Sequence, residues 1–139
     1  MTDQDHKSIL VIDDEQLIRL QIRSALELEG FTVHEAANGN EGLARIAEAT
    51  PDVVITDILM PDKEGIETIL ELRRTHPKIR IIAISGGGRT GNKDFLRTAK
   101  HLGADRTLAK PFGLAELLRL VREVLAEANG GTSGAGRPP

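Results

Sequence analysis

Four short apolar runs in this chain each lead into a polar residue that suits phosphate or metal-ion chemistry. Asp13 and Asp14 follow the first run, Asp57 the second, Ser85 the third and Lys110 the fourth. If the runs are neighbouring parallel strands, three carboxylates, one hydroxyl and one ammonium meet at one edge of a sheet. Such a group can hold a divalent cation and a phosphoryl group, and it offers a carboxylate nucleophile.

The adjacent pair Asp13 and Asp14 favours a metal site. Neighbouring carboxylates repel each other unless a cation neutralises them, and a small number of hard oxygen ligands suits Mg²⁺. The alternative is helix capping, because an Asp before a helix accepts backbone N–H bonds and Asp14 precedes a helical pattern. Capping and metal binding are about equally compatible with the pair alone, and Asp57 and Lys110 favour the metal.

The other three positions suit phosphoryl transfer. The Asp57 carboxylate can attack a phosphoryl group and form an acyl phosphate. The Lys110 ammonium is a point charge for a phosphate oxygen or for the resting carboxylates, and the bond to Pro111 is of the X–Pro type, for which the cis form costs little. Ser85 offers a hydroxyl to a phosphoryl oxygen, although a Ser at the start of a loop also suits a local turn.

The elements that must position these residues alternate between strand and helix. Strands are predicted at about 8–12, 31–36, 52–57, 79–84 and 106–109. Helical spacing of apolar residues predicts helices at about 15–29, around 43–47 and 66–70, at about 92–102 and around 114–128. Several strands are apolar without alternation, as expected for strands covered on both faces. Repeated strand–helix alternation therefore predicts an α/β fold with a parallel sheet and right-handed crossovers.

Length and composition exclude several classes of protein. A chain of 139 residues has the usual length of a single domain. We expect a flexible N-terminus at 1–7, a domain at 8–128 and a disordered Gly/Pro-rich tail at 129–139. The net charge of −3 argues against direct binding to nucleic acid. The sequence shows no cysteine, no membrane-length apolar run and no signal-peptide pattern, so we expect no membrane insertion and a cytoplasmic location.

Taken together, these residues resemble the receiver domain of two-component response regulators. The matching pieces are the Asp13-Asp14 pair, the run D-I-L-M-P-D-K-E-G that starts at Asp57, Ser85 with a small Gly86 behind it, and K-P-F from Lys110. The resemblance extends from about residue 8 to residue 127. It implies a flavodoxin-like, doubly wound five-stranded parallel sheet of order 2-1-3-4-5 with five helices.

The resemblance also implies a function. Asp57 would accept a phosphoryl group from a histidine kinase or a phosphotransfer protein, and Lys110 and Ser85 would bind the phosphoryl oxygens. Mg²⁺ (or Mn²⁺) would be held by Asp14, Asp57 and the backbone carbonyl of Leu59. Asp13 would help, partly through water.

We therefore expect a stand-alone response regulator, monomeric or weakly dimeric, that signals by changed contacts with a downstream protein. We expect it to catalyse only its own phosphorylation and dephosphorylation.

The chain departs from the family at the position three residues before Lys110. Receivers usually carry Tyr or Phe there, whose ring moves inward together with the Ser/Thr hydroxyl, and this chain has Thr107. We expect Ser85 and Thr107 to be the switch positions, and we hypothesise that ordering of the glycine-rich 86–93 loop transmits the signal instead of a ring. Leu59 is expected to restrict attacking water.

Three other functions remain open from the residues. The first is a degenerate receiver that binds partners without phosphorylation. The second is another α/β enzyme with an Asp nucleophile, such as a phosphatase, which would need an acid/base Asp where Leu59 stands. The third is a dinucleotide site, because Gly86, Gly88 and Gly91 satisfy G-x-G-x-x-G, but this motif follows the fourth strand rather than the first.

Overall fold

The central sheet consists of five parallel strands in the order β2-β1-β3-β4-β5. The strands are β1 (Ser8–Ile12), β2 (Thr32–Ala36), β3 (Val53–Asp57), β4 (Arg80–Ser85) and β5 (Arg106–Ala109). These positions come from a computed structural model, which describes residues 7–58, 65–85 and 93–129. The predicted parallel α/β architecture and the strand order implied by the resemblance are both confirmed.

Five helices connect and follow the strands. They are α1 (Gln16–Leu28), α2 (Gly39–Glu48), α3 (Gly65–Thr75), α4 (Lys93–Leu102) and α5 (Leu114–Asn129). Each predicted strand lies within one residue of its observed bounds. The clearest shift concerns Ser85, which was expected just after the fourth strand and is instead its last residue, because it pairs in register with Ala109.

Two apolar cores lie on opposite faces of the sheet because successive strand side chains alternate between the faces. One core joins the sheet to α1 and α5 and includes Val11, Ile55, Ile84, Leu108, Ile22, Leu26 and Val121. The other joins the sheet to α2, α3 and α4 and includes Ile12, Val54, Ala83, Ile46, Ile69, Leu72 and Ala99. Each fully buried Ile or Leu contributes about 1.5–3 kcal/mol, so these cores hold the strand ends in fixed relative positions.

The first helix ends within one residue of its predicted end, and Gly30 closes it. Gly30 has a φ of 97° in the left-handed region, which glycine adopts without the steric cost of a Cβ. The Gly30 N–H bonds to the Glu27 carbonyl, and the Phe31 N–H bonds to the Leu26 carbonyl. This pair of bonds is a Schellman motif, and it turns the chain from α1 into β2.

Candidate functional site

Backbone hydrogen bonds continue past the strand ends and fix the edge of the sheet where the candidate residues lie. The Asp13 N–H donates to the Ala36 carbonyl at 3.1 Å, and the Lys110 N–H donates to the Ser85 carbonyl at 2.7 Å. The Ile58 N–H donates to a β4 carbonyl at 2.9 Å. The residues that leave β1, β3 and β5 are therefore held by the same ladder that holds the strands.

The three predicted aspartates lie together at this edge. Asp13, Asp14 and Asp57 each offer a carboxylate oxygen, and these oxygens all lie within 4.8 Å of one another. Asp13 is fully buried and Asp57 is 4% exposed, whereas Asp14 is exposed. Like charges this close, with two of them out of water, destabilise one another unless cations balance them.

Lys110 supplies one balancing charge. Its Nζ lies 2.9 Å from Asp13 Oδ2 and 3.1 Å from Asp57 Oδ2, as expected for the resting carboxylates. It also lies 3.1 Å from Glu15 Oε1, a contact that the sequence did not indicate. The Lys110–Pro111 peptide bond is cis.

Burial by itself lowers the pKa of Lys110, because a low-dielectric surrounding disfavours the ammonium. The hydrogen bond and charge of Asp13 and the charge of Asp57 outweigh that effect, so the net pKa of Lys110 lies above its usual value. Lys110 is therefore charged throughout the physiological pH range. It is a permanent positive charge beside the candidate nucleophile.

The donor set fits a divalent cation. Asp13, Asp14 and Asp57 are three carboxylates beside one partly buried ammonium, which leaves two negative charges at the cluster. The buried oxygen Asp13 Oδ2 also accepts no hydrogen bond of regular geometry, although it lies in ionic contact with Lys110. Hard carboxylate oxygens with spare lone pairs suit Mg²⁺. The residues that would hold it are Asp14 and Asp57, with Asp13 in support.

Neither Asp13 nor Asp14 is the N-cap residue of α1, and Asp13 instead closes the turn before the helix. Asp13 Oδ1 accepts the Glu15 N–H at 2.8 Å, which holds the chain just before the helix. The capping alternative for Asp14 is therefore wrong, because Glu15 occupies the N-cap position and the preceding turn is closed by Asp13. The exposed Asp14 carboxylate is left facing the cluster that it forms with Asp13 and Asp57.

Ser85 and Thr107 lie on the other face of the sheet from Leu108. Thr107 is the register partner of Ala83, and Ala83 belongs to the core under α3 and α4. Ser85 is two residues beyond Ala83, so strand alternation places it on that same face. Ser85 is 3% exposed and Thr107 is partly buried. The two predicted switch positions thus share the face that α4 covers.

Gly65 packs against the backbone of Asp57, a contact that was not among the sequence predictions. A Cβ added there would lie 2.2 Å from the Asp57 carbonyl oxygen and 2.4 Å from Ile58 Cα. The start of α3 therefore packs directly on the backbone of the strand end. The signal was present in the sequence, because Gly65 is the final residue of the D-I-L-M-P-D-K-E-G run.

Arg19 was also missed, and it fixes the backbone of the acidic turn. Its Nη1 donates to the Asp13 carbonyl at 2.7 Å and its Nε donates to Glu35 Oε1 at 2.9 Å. Glu35 also pairs with Arg23. Burial raises the pKa of Glu35, but the hydrogen bonds from Arg19 and Arg23 outweigh it, so the net pKa is lowered.

Several sequence predictions lie outside the described residues. These are the Leu59 carbonyl as a metal ligand, the Leu59 side chain as a barrier to water, and the 86–92 part of the glycine-rich loop with its G-x-G-x-x-G motif. The tail from 130 onwards and residues 1–6 also lie outside them.

Comparison with known families decides the assignment. Residues 9–122 match the family model described as the response regulator receiver domain. The chain belongs to this family. Receiver domains are components of two-component systems, in which they interact with histidine kinases and downstream effectors, and they typically bind Mg²⁺.

Individual relatives agree with this assignment. The receiver is 38% identical over 118 residues to the KDP operon transcriptional regulatory protein KdpE of Escherichia coli, covering 85% of this chain and 51% of that protein. It is 37% identical over 123 residues to the sensor kinase CckA of Brucella abortus, covering 85% of this chain and 12% of that protein. The receiver thus spans about half or less of the length of these curated relatives.

Solved structures show the same fold. A CheY-like receiver domain protein from Methanospirillum hungatei has a TM-score of 0.82 at 31% identity, covering 90% of this chain and 98% of that one. Chemotaxis protein CheY4 of Vibrio cholerae has a TM-score of 0.77 at 30% identity, covering 86% of this chain and 98% of that one. Within the described ranges of the receiver, no helix is long and apolar enough to cross a membrane.

Proposed function

We propose that this receiver is activated by phosphorylation and accepts a phosphoryl group on Asp57 in a Mg²⁺-dependent reaction. The observation that carries the proposal is the position of Asp57. Its carboxylate is almost fully buried, lies 3.1 Å from the Lys110 ammonium and belongs to a cluster of three carboxylates. A buried aspartate of purely structural role would need a cation, but it would not need two further carboxylates beside it.

The proposed reaction is a displacement at phosphorus. One Asp57 carboxylate oxygen attacks the phosphoryl group of a phosphohistidine or a small acyl phosphate, and the bond from phosphorus to the donor breaks. The donor leaves with the bonding electron pair, and Asp57 becomes an acyl phosphate. The transition state spreads negative charge over the phosphoryl oxygens, so stabilisation by fixed charges dominates. The metal, when bound, would neutralise part of that charge.

The chain's own residues supply the rest. Lys110 stays charged and already lies beside Asp57, so it can donate to a phosphoryl oxygen without moving far. The Ser85 hydroxyl is the proposed second donor, and its backbone carbonyl holds Lys110 through the 2.7 Å bond. Gly65 and the buried β3 strand fix the direction of the attacking carboxylate.

Apolar surface beside the site supports a protein as phosphoryl donor. Leu17 and Leu20 on α1 are 64% and 53% exposed, and Leu114 at the start of α5 is 39% exposed. Between the two helices lies a cavity of about 290 Å³, lined by Ile18, Gln21, Ile22, Lys110, Pro111, Phe112 and Leu114. Exposed large apolar side chains that adjoin a reactive site suit transient docking of a histidine kinase or phosphotransfer protein.

Phosphorylation is proposed to shift an existing equilibrium between two conformations and so change contacts with a downstream protein in the cytoplasm. Thr107 carries far less surface than an aromatic ring. We therefore propose that the signal passes through the chain that follows Ser85 rather than through a ring at position 107.

The test is labelling with acetyl phosphate and Mg²⁺, followed by intact mass. We expect a gain of one phosphoryl group in the wild type, loss of that gain in Asp57→Asn and in the presence of a metal chelator, and retention in Glu48→Gln. Glu48 is an exposed carboxylate at the end of α2 and serves as the matched charge control. A wild type that neither gains mass nor responds to beryllofluoride by NMR would instead indicate a degenerate receiver, and rapid multiple turnover would indicate a phosphatase.

A further inference from the structure

Glu15 stands at the start of α1 but does not cap the helix. It is the N-cap residue of α1, a position that favours Ser, Thr, Asp and Asn because their short side chains bond to free backbone N–H groups. The Glu15 side chain makes no such capping bond. Its Oε1 instead lies 3.1 Å from Lys110 Nζ, a residue 95 positions later in the chain.

The Lys110 ammonium is shared among three carboxylates in this resting arrangement. An ammonium has three N–H donors. Three carboxylate oxygens lie around Nζ, those of Asp13 at 2.9 Å, Glu15 at 3.1 Å and Asp57 at 3.1 Å. A phosphoryl group on Asp57 adds about −1.5 to −2 charges and three acceptor oxygens. These oxygens take over the contact between Asp57 and Lys110, and their larger charge repels Glu15 and competes with it for Lys110.

Exposure decides which partner gives way. Once Asp57 is an acyl phosphate, its negative charge belongs to the phosphoryl group, so Asp13 and Glu15 are the carboxylates left beside Lys110. The Asp13 side chain is 0% exposed and would become an uncompensated buried charge if it lost the ammonium. The Glu15 side chain is 59% exposed, and water can replace the ammonium there at little cost. Glu15 is therefore the exchangeable partner, at the solvent side of the site.

We propose that Glu15 is a positioning residue that restrains phosphorylation. In the resting site it takes one donor of Lys110 and places a negative charge where an anionic phosphoryl donor must approach. It swings into water when the phosphoryl group binds. This inference rests on the proposed function, because it names a control on the reaction at Asp57.

The first measurement compares Glu15→Gln with the wild type and with Glu48→Gln, which removes the same charge from an exposed site on α2. At low ionic strength we expect Glu15→Gln to be labelled by acetyl phosphate about three to ten times faster and to bind beryllofluoride correspondingly more tightly. The difference should shrink at ~1 M salt, where the screening length falls to about 3 Å. Glu48→Gln should label at the wild-type rate.

The second measurement needs neither metal nor phosphoryl donor. In metal-free protein, the ¹³Cε and ¹⁵Nζ resonances of Lys110 should shift in Glu15→Gln and stay fixed in Glu48→Gln. The free energy of unfolding should change little, since Glu15 does not cap the helix.

The two proposals fail in different ways. If the wild type is labelled on Asp57 but Glu15→Gln is labelled no faster, or its Lys110 resonances do not move, the restraint is wrong and the proposed function stands. If the wild type is not labelled at all, the proposed function is wrong, and the restraint falls with it.

Discussion

Gly65→Ala is the substitution for which the structure gives the largest effect from the smallest chemical change. The added Cβ would lie 2.2 Å from the Asp57 carbonyl oxygen and 2.4 Å from Ile58 Cα. Favourable contacts between such atoms begin near ~3.5 Å, so α3 and the end of β3 must separate by about 1 Å. Both atoms belong to the backbone of a fully buried strand end, so no side-chain rotation relieves the overlap.

We expect the free energy of unfolding to fall by about 2–3 kcal/mol, the upper part of the range for overpacked sites. A domain with about 5–15 kcal/mol of stability tolerates that loss, so the variant should fold. A displacement of about 1 Å at the nucleophile should slow labelling of Asp57 by roughly 100-fold. Urea unfolding followed by far-UV circular dichroism gives the first quantity, because the chain has no Trp or Tyr, and intact mass gives the second.

Two other glycines provide a graded control. At Gly42 the new Cβ would meet the flexible end of the Ile12 side chain at 2.5 Å, so we expect a smaller loss of stability and near-normal labelling. At Gly113 nothing lies within 4 Å, so only the weak helix-capping preference against Ala applies, less than about 1 kcal/mol. A Gly65→Ala protein that matches Gly113→Ala in both stability and labelling rate would refute the argument.

Three further substitutions test the charges and surfaces around the site. Lys110→Met should destabilise the metal-free protein by about 3 kcal/mol, because two buried carboxylates lose their cation. Added Mg²⁺ should restore most of the lost stability. An equal loss in Lys100→Met, at an exposed lysine, would contradict this explanation. Glu35→Gln should cost under about 1 kcal/mol at pH 7. The pKa of Glu35 is lowered in the folded protein, so the stability difference between Glu35→Gln and the wild type should hold above about pH 4.5 and vanish as the pH falls below that value. Urea unfolding at each pH measures it, and a difference unchanged at pH 3 would refute the ion-pair assignment. Leu17→Lys should slow transfer from a phosphohistidine phosphotransfer domain about tenfold while leaving acetyl phosphate labelling intact, whereas Leu70→Lys, exposed on α3, should slow neither.

Hydrophobic periodicity was sufficient to predict the strands, the helices and the parallel α/β class. The strands are apolar because both faces of the sheet are covered, and each helix has one buried face. The spacing of apolar residues along the sequence therefore indicates which surfaces are buried. The strand order 2-1-3-4-5 came only through the resemblance, since periodicity does not say which strands are neighbours. One detail of α5 was also missed: Leu114 lies on the predicted apolar face but is 39% exposed, because it begins the helix beside a cavity.

The candidate site could be predicted residue by residue because parallel strands bring their carboxyl ends to one edge. Asp13, Asp14, Asp57 and Lys110 are brought together as expected. Contacts that depend on the path of side chains were not predictable. Asp13 closes the turn before α1 without capping the helix, and Arg19 donates to the Asp13 carbonyl.

The sequence by itself determined which chemical groups are present and that they meet, because strand periodicity and the D-I-L-M-P-D-K-E-G and K-P-F runs carry that information locally. Only the tertiary structure decided how their charges are shared. Glu15 and Lys110 are 95 positions apart, and no local pattern relates them. Their contact arises because the end of β5 and the start of α1 converge at one edge of the sheet. There the exposed Glu15 carboxylate reaches a partly buried ammonium that two buried carboxylates already contact.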